Sequence, residues 1–198
     1  GGTGKTPIVQ EIAFELSEMG YTPCILLRGY KSKISVPTKV DPEIHTAEAV
    51  GDEAYMHAQN FDTWISKNRI LGAMKIEEKT SNFDKPPVII MDDGFQNPYL
   101  NKDLNIIVFD GTRGIGNGHI MPAGPLREKI STAVKRANAA IIIGHDHQNL
   151  GPKLSKHTKL LTAQIAPDTD SLKQLNSNKV IAFCGIGNPS KFKKTVES

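Results

Sequence analysis

Apolar residues recur at helical spacing immediately after the first six residues of the chain. Between Pro7 and Gly20 they occupy positions 8, 9, 12, 13, 16 and 19, which is the period of a helix with one buried face. Pro7 is tolerated in a first helical turn, because the N–H that proline lacks would have no partner there. Gly20 is typical of a helix end. The pattern therefore predicts a helix over residues 8–19.

Continuous apolar runs predict the strands, and most of these runs are separated by stretches with helical spacing. The predicted strands cover residues 23–27, 63–66, 87–91, 104–109, 139–143, 160–165 and 179–184. Further predicted helices cover 47–61, 69–79 and 126–137, whereas 31–45 and the glycine-rich stretch 111–125 are predicted loops. Strands that are apolar on both faces and alternate with helices favour a mainly parallel sheet covered by helices on both faces. We therefore predict an α/β fold.

The composition, net charge and cysteines of the chain favour some broad classes of protein over others. Of the 198 residues, 38% are hydrophobic and 23% are charged, which favours a folded globular chain over a disordered one. The net charge is only +3 and the basic residues are scattered, so no nucleic-acid partner is predicted, whereas attraction to an anionic membrane surface stays open. Cys24 and Cys184 each lie in an apolar run, which favours two buried thiols in a reducing compartment over a disulfide.

The first six residues, Gly1, Gly2, Thr3, Gly4, Lys5 and Thr6, have the ending of a phosphate-binding loop. Glycines allow backbone N–H groups to curl around phosphate oxygens, and the following helix N-terminus favours an anion. In such a loop, Lys5 reaches the β- and γ-phosphates and the Thr6 hydroxyl binds magnesium. The alternative is a glycine-rich turn with an incidental lysine. Because the motif begins at residue 1, we expect a preceding strand, and any targeting segment, to lie in front of it.

A pair of acids follows the apolar run 87–91. A phosphate-binding loop needs a carboxylate at such a strand end to hold magnesium, and Asp92 and Asp93 are in that position. Which of the two lies nearer the metal stays open, and the alternative is a solvated turn. Asp52 and Glu53, taken alone, are ordinary first-turn acids of a helix.

A third polar group follows the apolar run 139–143. The residues His145, Asp146 and His147 could bind a metal, but a polar loop is the favoured interpretation of this group.

Together with these motifs, several short sequences resemble one family and arrive in its order along nearly the whole chain. They are Gly-Gly-Thr-Gly-Lys-Thr-Pro at 1–7, Arg-Gly-Tyr at 28–30, Gly-Asp-Glu at 51–53, Asp-Asp-Gly-Phe-Gln at 92–96, Asp-Gly at 110–111, Gly-Asn-Gly at 116–118, Pro-Ala-Gly-Pro-Leu-Arg-Glu at 122–128 and Gly-Ile-Gly-Asn-Pro at 185–189. The chain resembles the tetraacyldisaccharide 4′-kinases, the lipid A 4′-kinases of Gram-negative bacteria. The stretch 122–128 and the paired aspartates with Gln96 are the most specific parts of this resemblance.

The resemblance implies a fold, a reaction and a set of site residues. It implies a P-loop NTPase-like three-layer sandwich that transfers the γ-phosphate of ATP to the 4′-hydroxyl of a tetraacyl glucosamine disaccharide 1-phosphate, with Mg²⁺, at the cytoplasmic face of the inner membrane. The implied nucleotide-binding residues are Gly1, Gly2, Thr3, Gly4, Lys5 and Thr6, and the implied metal-site residues are Thr6, Asp92, Asp93 and Gln96. The implied catalytic residues are Asp52 as proton acceptor, Lys5 and Asp93, and the implied substrate-binding residues are Arg28, Tyr30, Glu53 and Glu128.

The resemblance also sets expectations about segments outside the chain. Residues 1–178 are expected to form the P-loop kinase domain, and 179–198 to begin a smaller, truncated C-terminal lobe. An N-terminal hydrophobic helix of the family is absent here, and a histidine that pairs with the catalytic aspartate is expected beyond Ser198, so this chain alone could bind nucleotide and still be a poor kinase. The protein would then be peripheral, or anchored by the missing helix.

Two other functions share some of these features. A nucleotide-switched ATPase that binds partner proteins has a similar loop, but it typically carries a second lysine directly before the two glycines. Its sequences also do not resemble 92–96 or 122–128. A non-catalytic nucleotide-binding remnant would bind ATP without transferring phosphate.

Overall fold

The computed structural model describes residues 3–166, 181, 183–184 and 192–193, which fall into two compact units. One unit contains residues 5–103, and the other contains residues 1–4 together with 104–198. Gly1, Gly2, the motif at 185–189 and the expected boundary after residue 178 lie outside the described residues. No helix of the described part is long and apolar enough to cross a membrane.

The unit of residues 5–103 is built on a four-stranded sheet. Its elements are helix α1 (Lys5–Glu18), strands β1 (Thr22–Leu27) and β2 (Thr38–Lys39), helices α2 (Ala47–Val50) and α3 (Asp52–Ala58), strand β3 (Asp62–Ile65), helix α4 (Arg69–Thr80) and strand β4 (Pro87–Met91). The strand order is β2-β3-β1-β4. The central strand β1 pairs in parallel with β3 and β4, so that Ile25 lies between Thr63 and Ile90, whereas β2 is an antiparallel edge strand.

The sheet is covered by helices on both faces. Successive side chains of a strand point to opposite faces, and accordingly Ile25 and Leu27 pack in one apolar cluster and Cys24 and Leu26 in another. The first cluster contains Val9 and Ala13 of α1 together with α2 and α3 residues, and the second contains Ala73 and Ile76 of α4. Full burial of each such Leu or Ile side chain contributes about 1.5–3 kcal/mol. The predicted three-layer arrangement is confirmed in this unit.

The second unit has a smaller, wholly parallel sheet. Its elements are strand β5 (Ile106–Asp110), helix α5 (Ile130–Arg136), strand β6 (Ala139–Ile143), helix α6 (Gly151–Leu154) and strand β7 (Lys159–Ala163), and the strand order is β5-β6-β7. Every residue of β6 is buried. Its core is formed by side chains from the sheet and both helices: Phe109, Val134, Ala140, Ile142, Leu150 and Leu154.

Several predicted elements differ from the structure. The helix predicted over 47–61 is two helices, because the backbone turns at Gly51 with a φ of 96°. The helix predicted over 126–137 begins only at Ile130, since the preceding loop continues through a bridge that pairs Ile120 with Leu126. The short elements β2 and α6 were not predicted, because two and four residues are too short for a periodic pattern.

The apolar run 179–184 is the least successful prediction. Of its described residues, Ile181 and Phe183 are 93% and 89% exposed and lie in no strand. The prediction of a buried thiol is therefore wrong for Cys184, which is half-buried, whereas Cys24 is fully buried and both thiols are free. Burial raises the pKa of Cys24 to about 11, with a smaller contribution from Asp62.

Candidate functional site

Charged residues gather where the parallel strands of the 5–103 unit end. Arg28 follows β1, Arg69 opens α4 shortly after β3, and Asp92 and Asp93 follow β4 directly. The carboxyl ends of parallel strands lie at one edge of a sheet, and this edge is where α/β folds commonly bind ligands. These three parallel strands therefore bring acidic and basic residues that are far apart in the sequence to one edge of the sheet.

Lys5 lies beside the second acid of the pair. Its Nζ is 3.7 Å from Oδ1 of Asp93, and the two side chains are 38% and 45% exposed. This is a loose ion pair at a partly open position, from which the lysine can also reach an anionic ligand. The structure thus brings together two of the residues that the sequence assigned to phosphate and metal binding.

Asp93 has an unusual backbone conformation, with a φ of 56°. The left-handed region is uncommon for residues other than glycine and costs of the order of 1 kcal/mol, so it persists where the surroundings impose it. The next residue, Gly94, is also constrained, because a Cβ at that position would lie 2.5 Å from Cβ of Met91. The turn that presents Asp93 is therefore tightly specified.

Asp92 is buried and contacts a histidine. Its side chain is 4% exposed, and Oδ2 lies 3.3 Å from Nε2 of His57, which is 0% exposed. His57 lies on α3, the helix whose first residue is Asp52. The structure therefore connects the first acid of the pair to the helix that carries the predicted proton acceptor.

Asp52 and Glu53 are exposed in the first turn of α3. Gly51 precedes them with a φ of 96°, and an added Cβ would lie 2.9 Å from the backbone carbonyl oxygen of Tyr30. The loop after β1 thus packs against the start of α3 through its backbone. The side chain of Tyr30 is 77% exposed and that of Arg28 is also exposed, so both are available to a ligand.

Arg69 is a buried cation at the same edge. It is 7% exposed, its Nη1 donates to the carbonyl oxygen of Ser66 over 2.8 Å, and its Nε has no hydrogen-bond partner in the described structure. Burial, followed by the nearby Arg28, lowers the pKa of Arg69, whereas Asp93 and Asp92 act in the opposite direction. Two guanidinium groups and two carboxylates therefore influence one another electrostatically here.

Sequence comparison identifies the family. The family model of tetraacyldisaccharide-1-P 4′-kinase, LpxK, matches residues 1–198. The chain belongs to this family. It is 42% identical over 200 residues to tetraacyldisaccharide 4′-kinase of Rhodospirillum rubrum and 37% identical over 198 residues to that of Rhodospirillum centenum, covering 99% and 100% of this chain. It covers 59% and 57% of those two relatives, and so spans less than two thirds of their length.

A solved LpxK structure has the same fold. The crystal structure of an "apo" form of LpxK from Aquifex aeolicus in complex with ATP superposes with a TM-score of 0.73 at 30% sequence identity. The match covers 100% of this chain and 64% of that one. The α/β fold predicted from the sequence, with its mainly parallel strands, is therefore the fold of the LpxK family.

The 5–103 unit carries the four side chains that the sequence assigns to a magnesium site. They offer oxygen atoms: the Thr6 hydroxyl, the carboxylates of Asp92 and Asp93, and the side-chain amide of Gln96. Among the described residues there is no cluster of three or more His, Cys, Asp or Glu side chains suited to a metal. Mg²⁺ usually takes one or two protein carboxylates and completes its shell with water and phosphate oxygens.

Two members of this edge were missed by sequence reasoning. His57 continues the buried stripe of Val50 and Ala54 at helical spacing. A polar residue on an apolar stripe is therefore the sequence feature that could have drawn attention to His57. Arg69 stands at the start of a predicted helix directly after a strand, a position that carries no comparable signal. In both cases the structure shows what the sequence could not, namely that the polar side chain is buried.

The remaining predicted residues lie in the other unit or outside the described part. Thr3 and Gly4 belong to the unit that includes 104–166, and Gly4 has a φ of 88°, a conformation that glycine adopts readily. Their predicted part in phosphate binding stays a prediction. Glu128 accepts hydrogen bonds from Nη2 of Arg136 at 2.6 and 2.5 Å in that same unit. Its predicted part in substrate binding stays a prediction.

The polar group at 145–147 is a structured loop, as the favoured interpretation had it. Asp146 accepts from the backbone N–H groups of Leu150 and Gly151 over 3.0 and 2.8 Å. Burial raises the pKa of Asp146, but hydrogen bonds from Gly151, Leu150 and Gln148 outweigh this and leave the pKa below its ordinary value. The carboxylate is thus engaged in capping the turn into α6.

Proposed function

We propose that this chain carries the nucleotide- and metal-binding part of an ATP-dependent kinase that phosphorylates the 4′-hydroxyl of a tetraacyl glucosamine disaccharide 1-phosphate in lipid A biosynthesis. The observation that carries the proposal is the position of Lys5 Nζ, 3.7 Å from Oδ1 of Asp93, the residue that follows the buried Asp92. Membership of the LpxK family supports the reaction, and similarity to a relative solved with ATP supports the nucleotide.

The chemistry follows from the residues at the strand ends. The Lys5 ammonium group binds phosphate oxygens, while Thr6, Asp92, Asp93 and Gln96 would hold the cation. Magnesium, when bound, supplies neutralisation of the phosphate charge.

Asp52 acts on the acceptor in this proposal. It takes the proton of the 4′-hydroxyl as that oxygen forms a bond to the γ-phosphorus, and the bond from the γ-phosphorus to the β–γ bridging oxygen breaks to release ADP.

The acceptor would bind beside these residues. Arg28 and Tyr30 are exposed after β1, and Glu53 follows Asp52 on α3, so three of the four predicted substrate residues belong to one unit with the proton acceptor. A guanidinium group suits the phosphate of the disaccharide, and an exposed tyrosine suits a sugar or the start of an acyl chain. Because the acceptor is a lipid and the donor is ATP, we place the reaction at the cytoplasmic face of the inner membrane.

The test is a transfer assay on the complete protein that contains this chain. Radiolabelled ATP and the tetraacyl disaccharide 1-phosphate are incubated with and without Mg²⁺, and labelled lipid is quantified. We expect Asp52→Ala and Asp52→Asn each to lower turnover by about 10²–10⁴-fold, and Lys5→Ala by about 10²–10³-fold, as for loss of a preorganised charge-stabilising group.

Each failure has a distinct meaning. Near-normal turnover in Asp52→Asn, which keeps the size of the side chain but cannot accept the proton, would show that Asp52 is not the base. Tight ATP binding without any transfer by the wild-type protein would favour a non-catalytic remnant.

A further inference from the structure

His57 is a buried polar residue in an apolar position. It follows Val50 and Ala54 on the buried side of α2 and α3, and all three are at most 2% exposed. Burying a polar ring costs free energy unless its nitrogen atoms are hydrogen-bonded, yet Nδ1 has no hydrogen-bond partner among the described residues. The contact from Nε2 to Asp92 is therefore the interaction that offsets the cost of this residue.

The protonation of the ring follows from its partners. The carboxylate of Asp92 can only accept, so Nε2 carries the hydrogen and donates to Oδ2 across 3.3 Å. In that tautomer Nδ1 is an unfilled acceptor, which is less costly than an unfilled donor. One oxygen of Asp92, Oδ2, is thereby engaged by His57.

We propose that His57 is a positioning residue that holds the Asp92 carboxylate in the orientation that binds the metal ion. The inference rests on the proposed function and deepens it. Hydrogen bonds of this kind, made to a metal-binding side chain by its neighbour, typically affect metal affinity or activity by about 10–100-fold. Because His57 and Asp52 share the seven-residue helix α3, the same contact also ties the helix of the proposed base to the strand end of the metal site.

A packing role alone makes a different prediction. If His57 only filled space, leucine would replace it well, since leucine has a similar volume and suits an apolar stripe. If His57 positions Asp92, leucine should fail and glutamine, whose amide N–H can stand in for Nε2–H, should restore much of the effect. Val50→Ala serves as the matched control, because it removes buried volume from the same stripe and the side chain of Val50 cannot hydrogen-bond to Asp92.

The experiment measures metal binding separately from turnover. In the complete protein, Mn²⁺ is titrated by electron paramagnetic resonance in the presence of a non-hydrolysable ATP analogue, for the wild type, His57→Leu, His57→Gln and Val50→Ala. We expect His57→Leu to weaken Mn²⁺ binding by about tenfold or more and to raise the Mg²⁺ concentration needed for half-maximal turnover by a similar factor. The KM for the disaccharide should stay unchanged.

The variants separate positioning from stability. His57→Gln should recover most of the Mn²⁺ affinity, while Val50→Ala should lower the melting temperature and leave the affinity at the wild-type value. Equal Mn²⁺ affinity in His57→Leu and the wild type would overturn the proposal, as would an equal loss in Val50→Ala. Should His57→Leu fold poorly, His57→Met, whose apolar side chain adapts its shape but cannot donate a hydrogen bond to Asp92, takes its place on the same criterion.

The proposed function can fail independently. If the wild-type protein phosphorylates no disaccharide but binds Mn²⁺ and nucleotide in a His57-dependent manner, the acceptor is wrong and the role of His57 stands. If the wild type transfers phosphate and the His57 variants bind the metal as tightly as the wild type does, the proposed function is supported and the role of His57 is rejected. Absence of any nucleotide-dependent Mn²⁺ binding would remove both.

Discussion

Gly51 is the position where one added methyl group should disturb both the fold and the site. It joins α2 to α3 with φ 96° and ψ 144°, and it directly precedes Asp52. Backbone of this kind is populated almost only by glycine, and a side chain forced into it costs roughly 1–3 kcal/mol. The Cβ of Gly51→Ala would also lie 2.9 Å from the carbonyl oxygen of Tyr30. Because that oxygen belongs to the backbone, it cannot move aside by a change of rotamer.

The two effects add, since strain and crowding arise at the same atom. Taking about 2 kcal/mol for the conformation and about 1 kcal/mol for the displaced backbone, Gly51→Ala should lose about 3 kcal/mol of unfolding free energy. For a chain of this size, this corresponds to a fall in melting temperature of roughly 6–12 °C. Thermal and urea unfolding followed by circular dichroism measure both quantities.

Gly20→Ala is the control for Gly51→Ala. Gly20 also has a positive φ, 87°, but its Cβ would meet nothing within 4 Å. This variant therefore carries the conformational cost without the crowding and should lose roughly 1–2 kcal/mol. If Gly51→Ala were no less stable than Gly20→Ala, the close approach of the Tyr30 backbone to α3 would not be a real constraint. Turnover of the complete protein should fall in Gly51→Ala alone, because only that substitution shifts Asp52.

Three other outcomes are expected. Gly94→Ala, whose Cβ would lie 2.5 Å from Cβ of Met91, should displace the turn at Asp93 and weaken nucleotide-dependent Mn²⁺ binding, and an unchanged titration would count against this tight turn. The lowered pKa of Asp146 means that its stabilisation is complete above about pH 4 and is lost as the pH falls below the ordinary value of 3.8. Asp146→Asn should therefore lower stability at pH 7 and flatten the decline below pH 4 in urea titrations, and a decline as steep as the wild type's would refute the assignment. Cys24, with a pKa of about 11, should react with Ellman's reagent at pH 8 only after urea is added. The measurement uses the Cys184→Ser variant, so that Cys24 alone is labelled. Fast labelling of the native protein would contradict the burial of Cys24.

The strands that the sequence predicts best are those with sharp ends. Pro87–Met91 and Ala139–Ile143 are observed at the predicted bounds, because each apolar run stops at a charged residue or a glycine. The break at Gly51 could not be predicted in this way. A single glycine inside a helical pattern is often tolerated, and here it is required by the Tyr30 carbonyl oxygen, which comes from a distant loop. The local pattern of apolar and polar residues gives no information about this contact between the Tyr30 carbonyl oxygen and Gly51.

The residues of the candidate site also differ in how far the sequence predicts them. Lys5 and Asp93 were predicted together because phosphate binding demands a lysine at a helix start and a carboxylate at a strand end, and these are short-range signals. His57 and Arg69 were not, since their significance lies in being buried at 0% and 7% exposure beside acids from other strands. Only the pairing of β1 with β3 and β4 brings those groups to one edge.

Asp92 has two partners at this edge, and this determines which substitution is informative. It accepts from His57 at 3.3 Å, and its charge favours the protonated form of the buried Arg69. Asp92→Asn would therefore remove a proposed cation ligand and also leave the charge of Arg69 less compensated, so that either change would lower turnover. His57→Leu removes only the hydrogen bond and leaves both charges in place. A weaker metal affinity in His57→Leu at unchanged stability would consequently report on the orientation of the Asp92 carboxylate rather than on its charge.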